Sequence, residues 1–161
     1  VEARIKELGR QISQDYAETG VHLVCILRGA FMFMSDLAKD LTCSVTVDFM
    51  AVSSYEDQLE STGIVKIVKD LDGSIEGRHV LIIEDIIDSG RTLHYLMEIL
   101  AKRNPASIRL AALLDKEPRR VIPVEVAYRG FSIEDFFVLG YGLDYMQKYR
   151  NLPYIGELVE E

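Results

Sequence analysis

Val80-Leu-Ile-Ile-Glu84-Asp85-Ile-Ile-Asp88-Ser89-Gly90-Arg91-Thr92-Leu93 is the most informative stretch of this 161-residue chain. Val80 to Ile83 is a continuous aliphatic run, as expected for a central strand of a parallel sheet. The run ends on two adjacent carboxylates and passes through a polar, Gly-containing turn. It then enters a helical pattern at Leu93, Leu96, Met97 and Leu100. In an open α/β sheet, ligands bind beyond the carboxyl ends of strands, so the turn at 88–92 stands where a ligand is expected. The first amides of a helix lack intrahelical partners and lie at the positive end of its dipole, which suits a phosphate. Ser89 and Thr92 add hydroxyl donors, and Gly90 allows close approach or a positive φ. Plain N-capping by Asp88 or Ser89, with no ligand, accounts for the same residues.

The acidic pair sharpens the reading. Two carboxylates about 4 Å apart repel by about 4 kcal/mol at an intermediate effective dielectric. Glu84 and Asp85 therefore need an offset: a shared proton, hydrogen bonds from hydroxyls such as those of a sugar, or a divalent cation. Mg²⁺ with ligand oxygens suits such a pair. A solvated acidic edge fits less well, because the pair directly extends a buried strand. Asp88 is electrostatically out of place in an anion-binding turn unless it faces something else. A general acid/base aimed at a neighbouring nitrogen accounts for it.

Outward from this stretch the chain alternates strands and helices. Ile5, Leu8, Ile12 and Tyr16 have helical spacing, and Thr19-Gly20 ends that segment. His22–Leu27 is a buried strand, and Phe31–Leu41 resumes a helical pattern. Ser44–Ala51 alternates, with Val45, Val47, Phe49 and Ala51 on one face of a half-buried strand. Residues 53–63 are polar and aperiodic, a loop long enough to be functional or mobile. Ile64–Lys69 and Ile108–Leu114 are further strands, with Val124–Ala127 and Phe137–Leu139 as short candidates. The expected fold is one α/β domain with a central, mostly parallel sheet flanked by helices.

Composition is ordinary for a globular chain, 48% hydrophobic and 27% charged. A net charge of −8 argues against non-specific nucleic-acid binding, and it requires local cations or a metal if the ligand is a polyanion. No stretch approaches the roughly 20 apolar residues of a membrane span, and no signal-peptide pattern opens the chain. The first residue is Val, so the numbering is expected to start inside a longer protein. Cys25 and Cys43 lie in apolar runs and are expected to be buried, reduced thiols, which favours a cytoplasmic setting. His22, His79 and His94 lack metal-ligand spacing and read as structural or solvated.

Four aliphatic residues, two acids and an Asp-Ser-Gly-x-Thr turn resemble the phosphoribosyl-pyrophosphate-binding motif of type I phosphoribosyltransferases. Order, spacing and strand–turn–helix context all agree, which makes the signal specific. The rest of the chain resembles the hypoxanthine–guanine branch along nearly its whole length. The resemblance implies a single domain over 1–161, with a small hood from the N-terminal helix and C-terminal segment and a mobile flap at about 53–63. Ser54-Tyr55 and Ser61-Thr62-Gly63 match the flap pattern, while Glu56 stands where Gly is common. Leu27-Arg28-Gly29 resembles the pyrophosphate loop of the family, which often contains a cis peptide.

Function is likewise implied by the resemblance: Mg²⁺-dependent transfer of the phosphoribosyl group to N9 of a 6-oxopurine, with no nucleic-acid or membrane partner. Residues 88–92 (Asp88, Ser89, Gly90, Arg91 and Thr92) would hold the 5′-phosphate. Glu84 and Asp85 would hold the ribose hydroxyls, partly through metal, and Asp88 would take or share the N7 proton. Arg28, Gly29 and Arg150 would bind pyrophosphate. Lys116 would contact the exocyclic oxygen, where a cation can donate but would match adenine's amino group poorly. Phe137 would stack on the base, the Val138 backbone would pair with its edge, and Asp144 would help bind the purine and hold a second Mg²⁺. Phe136 and Phe137, as neighbours, can serve the core and the ligand respectively. A homodimer or homotetramer is implied, with apolar residues around Phe31–Met34 either in that interface or on a buried helix face. Rival readings are a regulator that senses nucleotide, a transferase for xanthine, adenine or orotate, and a non-catalytic nucleotide-binding module.

Overall fold

A computed structural model describes residues 1–54 and 65–159. Its order is α1 (Glu2–Asp15), β1 (Val21–Leu27), α2 (Phe31–Asp40), β2 (Val45–Ser54), β3 (Val65–Lys69), β4 (His79–Ile87), α3 (Arg91–Ala101), β5 (Ser107–Asp115), β6 (Tyr128–Ser132), β7 (Val138–Leu139) and β8 (Gly156–Glu157). The main sheet has the order β3-β2-β1-β4-β5-β6, parallel except for antiparallel β3 at one edge. β7 and β8 form a separate antiparallel pair. No helix among the described residues is long and apolar enough to cross a membrane.

The central strands β1, β4 and β5 carry apolar residues on both faces over their middle stretches because both faces are covered. Leu23, Cys25, Leu81, Ile83, Ala111 and Leu113 pack under α1 and α2 with Leu8, Ile12 and Phe33. The alternate residues, among them Val24, Ile26, Val80 and Ile82, pack under α3 with Leu93, Leu96 and Leu100. α1 is amphipathic with Ile5, Leu8 and Ile12 inward. Arg4 fastens it to β6 by donating to the carbonyls of Gly130 (2.9 Å) and Arg129 (2.6 Å).

Two expectations need correction. In β2 the apolar face is the outer one: Val47 is 49% and Phe49 36% exposed, while Asp48 and Met50 are buried. α1 and α2 pack over β1, β4 and β6, and β2 lies beyond their cover. Buried Asp48 is satisfied by the amides of Phe49, Asp72 and Gly73 (2.7, 2.9 and 3.3 Å). The last strand of the main sheet is Tyr128–Ser132 and not Val124–Ala127. Pairing with β5 starts at Ala111↔Tyr128. Gly130 is required there, since a methyl group would run into the Leu113 carbonyl. A strand of Tyr-Arg-Gly-Phe-Ser shows no apolar run to read.

Phe31–Met34 splits between its two readings: Phe33 and Met34 are buried, while Phe31 is 40% exposed. Both cysteines are free, Cys25 buried and Cys43 partly so.

Candidate active site

Chain order reverses direction between β1 and β4: one sheet half grows outward from β1, the other from β4. That switch point opens a crevice at the carboxyl ends of the strands. A cleft of about 270 Å³ lies there, lined by Leu27, Val52, Glu84, Asp85, Asp88 and Thr92 among others. A larger groove of about 710 Å³ is lined by α1, α2, Tyr141, Asn151 and Pro153, but by none of the predicted site residues. Chemistry, not size, identifies the site.

β4 stays in register with β5 as far as Ile87↔Asp115, which carries Glu84 and Asp85 to the floor of the cleft. Burial, then repulsion from Asp85, pushes the Glu84 carboxyl well above the usual carboxylate range. Burial also raises Asp85, against the hydrogen bond shared with Glu84 and the pull of the Arg150 charge. Asp85 accepts from the Ile86 amide (2.7 Å) and presses against the Cα of Gly29, where any side chain would collide with its carboxylate. The Leu27–Arg28 peptide is cis.

The 88–92 turn is capped only in part by a side chain. α3 has Gly90 at its N-cap with φ +82° and no side-chain cap bond; Ser89 Oγ accepts only a 3.3 Å contact from Arg91 N–H. Ser89 thus takes the Arg91 amide, while Gly90 offers no side chain to cap the amides that follow, which are left for another partner. Gly90 is forced: a Cβ would lie 2.5 Å from the Ile122 carbonyl. Two residues that the sequence did not single out hold this turn. Arg119 donates from Nε to Asp88 Oδ1 (3.1 Å) and pairs with Asp135 (3.3 Å). Arg120 donates to the Asp88 carbonyl (3.1 Å) and to fully buried Asp115. Their only signal was a cluster of charges just after a buried strand.

Lys116 follows β5, its N–H bonded to the Ile87 carbonyl (2.9 Å), so it sits beside Asp88. Its side chain is 10% exposed, with Asp135 3.8 Å away. Phe136 packs on the core while Phe137 is 48% exposed, edge-on to Tyr145 at 5.7 Å. Phe137 gives its carbonyl to Leu158 N–H (2.9 Å). In the alternating antiparallel pattern Val138 then turns its own N–H and C=O away from β8.

Arg28, Gly29, Asp144 and Arg150 converge from distant parts of the chain. The backbones of Gly29 and Gly142 touch so closely that a methyl on Gly142 would strike the Gly29 carbonyl. Arg150 donates to the Gly142 carbonyl (2.8 Å) and lies 3.2 Å from Asp144. Ser54 ends β2; Tyr55, Glu56 and Ser61-Thr62-Gly63 lie outside the described residues. Among the described residues no three His, Cys, Asp or Glu side chains cluster as a complete metal cage, so Glu84, Asp85 and Asp144 do not share one ion. A pair of carboxylates lining the cleft still fits Mg²⁺, which commonly takes one or two carboxylates and completes its shell with water and substrate oxygens.

A model of the phosphoribosyl transferase domain matches residues 1–146. The hypoxanthine phosphoribosyltransferase of Escherichia coli K12 is 53% identical over 161 residues, covering 99% of this chain and 90% of that protein. The hypoxanthine-guanine phosphoribosyltransferase of Dictyostelium discoideum is 50% identical, covering 100% and 92%. A crystal structure of a Staphylococcus aureus hypoxanthine phosphoribosyltransferase superposes with a TM-score of 0.95 at 50% identity, covering 98% of this chain and 86% of that one. The motif on β4, the crevice at the switch point and these full-length likenesses agree: the chain belongs to the phosphoribosyltransferase family, in its hypoxanthine–guanine branch.

Proposed function

We propose that the chain is a purine-salvage enzyme. It transfers the 5-phosphoribosyl group from phosphoribosyl pyrophosphate to N9 of hypoxanthine or guanine, releasing pyrophosphate and the nucleotide IMP or GMP. The observation that carries this is the meeting of the α3 N-terminus and the Glu84–Asp85 carboxylate pair in one cleft at the switch point.

The amides and hydroxyls of 88–92 hold the 5′-phosphate, with Gly90 letting the backbone come close. Glu84 and Asp85 accept from the ribose hydroxyls and would hold Mg²⁺ with substrate oxygens, while Asp144 would serve a second ion. A metal held there would neutralise charge on the diphosphate. Arg28 and Arg150 take up the negative charge that grows on the leaving group. The anomeric carbon–oxygen bond breaks ahead of attack, through an oxocarbenium-like transition state. N9 attacks from the opposite face while Asp88, held at 3.1 Å by Arg119, accepts the N7 proton. Lys116 donates to O6, Phe137 stacks on the ring, and the unspent backbone groups of Val138 meet the base edge.

We read 1–161 as one such domain, with a hood from α1 and the C-terminal segment and a flap at about 53–63 that excludes water. Free thiols support a cytoplasmic enzyme. The uncovered apolar residues Val47 and Phe49 on β2, and Phe31 on α2, support self-association as a homodimer or homotetramer. A spectrophotometric assay with phosphoribosyl pyrophosphate, Mg²⁺ and four parallel bases tests the reaction. Turnover of hypoxanthine or guanine that EDTA abolishes is expected; silence with hypoxanthine, guanine, xanthine and adenine alike refutes it.

A further inference from the structure

We infer that Gln147 is a positioning residue for the pyrophosphate end of the site, assembling the two arginines on a single neutral acceptor. The inference rests on the reading of Arg28 and Arg150 given above. Arg28 Nη1 and Arg150 Nη2 each donate to Gln147 Oε1 at 3.0 Å. The two arginines come from loops far apart in sequence, one after β1 and one before β8. One amide oxygen therefore draws together two like charges that would otherwise move apart in water.

The acceptor is itself built into place. Gln147 has φ +64°, within a run in which Met146 (+51°) and Tyr149 (+73°) are also left-handed. Its N–H donates to Asp144 Oδ2 at 2.8 Å. Asp144 Oδ1 in turn lies 3.2 Å from Arg150 Nη2. Left-handed residues other than Gly are uncommon, and three in four positions mark a turn held by its surroundings. Arg28 makes no ion pair among the described residues, and Arg150 pairs only with Asp144. In direct contact, two guanidinium groups face a single carboxylate, Asp144, in a chain of net charge −8. Such a local concentration of cations is what a polyanionic ligand requires.

Neutrality of the acceptor is the point of the arrangement. An amide oxygen orients both guanidinium groups without cancelling their charge, so an incoming diphosphate replaces it at full Coulombic advantage. A carboxylate at the same place would keep the geometry and spend the charge. Gln147 thus controls affinity for pyrophosphate and for the diphosphate of the substrate, and leaves the 5′-phosphate and base subsites alone.

Inhibition by pyrophosphate and by the nucleotide monophosphate, measured separately on the full chain, tests this. Gln147→Glu should weaken pyrophosphate inhibition by about tenfold and raise the KM for phosphoribosyl pyrophosphate. The inhibition constant of IMP, which has no diphosphate, should stay within twofold of the starting protein. Gln147→Ala should weaken pyrophosphate less than Gln147→Glu does, because it loosens the arginines without neutralising them. Unchanged pyrophosphate inhibition in both variants overturns the inference. So does equal loss of pyrophosphate and IMP binding, which would mark a purely structural role. If the unmodified protein binds neither ligand, the assigned function itself fails, an outcome distinct from either.

Discussion

Replacing Glu84 with Gln should stabilise the protein while impairing it. Glu84 and Asp85 are adjacent, partly enclosed at the cleft floor and close enough to share a hydrogen bond, and both carboxyls are raised, chiefly by desolvation. Two full charges at about 4 Å and an effective dielectric of about 20 repel by about 4 kcal/mol. A shared proton relieves part of this, so removing one charge should return about 2 kcal/mol at neutral pH. For a domain of this size that is a rise of about 4–8 °C in Tm. The sign with pH follows from linkage. A carboxyl with a raised folded pKa favours the fold fully below its unfolded value, about 4.3 for Glu and 3.9 for Asp. That contribution is lost as pH rises through the folded value. The variant's advantage should therefore be absent near about pH 4 and complete in mild alkali. Thermal unfolding with EDTA present, at both pH values, measures it. Added Mg²⁺ should raise the Tm of the unmodified protein more than that of the variant. A lower Tm for Glu84→Gln at alkaline pH, or the same gain at both, would refute the electrostatic account.

Three further outcomes test other parts of the site and fold. Asp88→Asn should lower kcat by at least about 100-fold, the usual scale of general-base catalysis, while phosphoribosyl pyrophosphate still binds; equal loss of turnover and binding would discard the proton-transfer role. Lys116→Ala should relax discrimination against adenine, read as the ratio of kcat/KM for hypoxanthine and adenine, and an unchanged ratio would remove Lys116 from base selection. Gly130→Ala should destabilise by about 1–3 kcal/mol, since its methyl group meets the Leu113 carbonyl; denaturant unfolding with an unchanged midpoint would contradict the close packing of β6 on β5.

The strand–turn–helix at 80–93 could be read in the sequence because its information is local. Apolar runs, a Gly and a helical period act over a few residues. For the same reason the α/β class and the central strands were legible. Which face of β2 is buried was not, because Val47 and Phe49 alternate correctly but lie past the cover of α1 and α2. β6 escaped notice because Gly130 answers to a neighbouring carbonyl and not to any apolar pattern.

The sequence by itself determined the chemistry on offer: an acidic pair at a strand's end, a Gly-containing polar turn at a helix start, and cations in separate loops. Only the tertiary structure decided how these meet. Arg119 reaches Asp88 across 31 residues, and Gln147 gathers Arg28 across 119. Such contacts follow from strand order and from the closeness of two glycine backbones, Gly29 and Gly142. Periodicity records how each segment meets water and the core. It carries no term for which distant loops the folded sheet will press together.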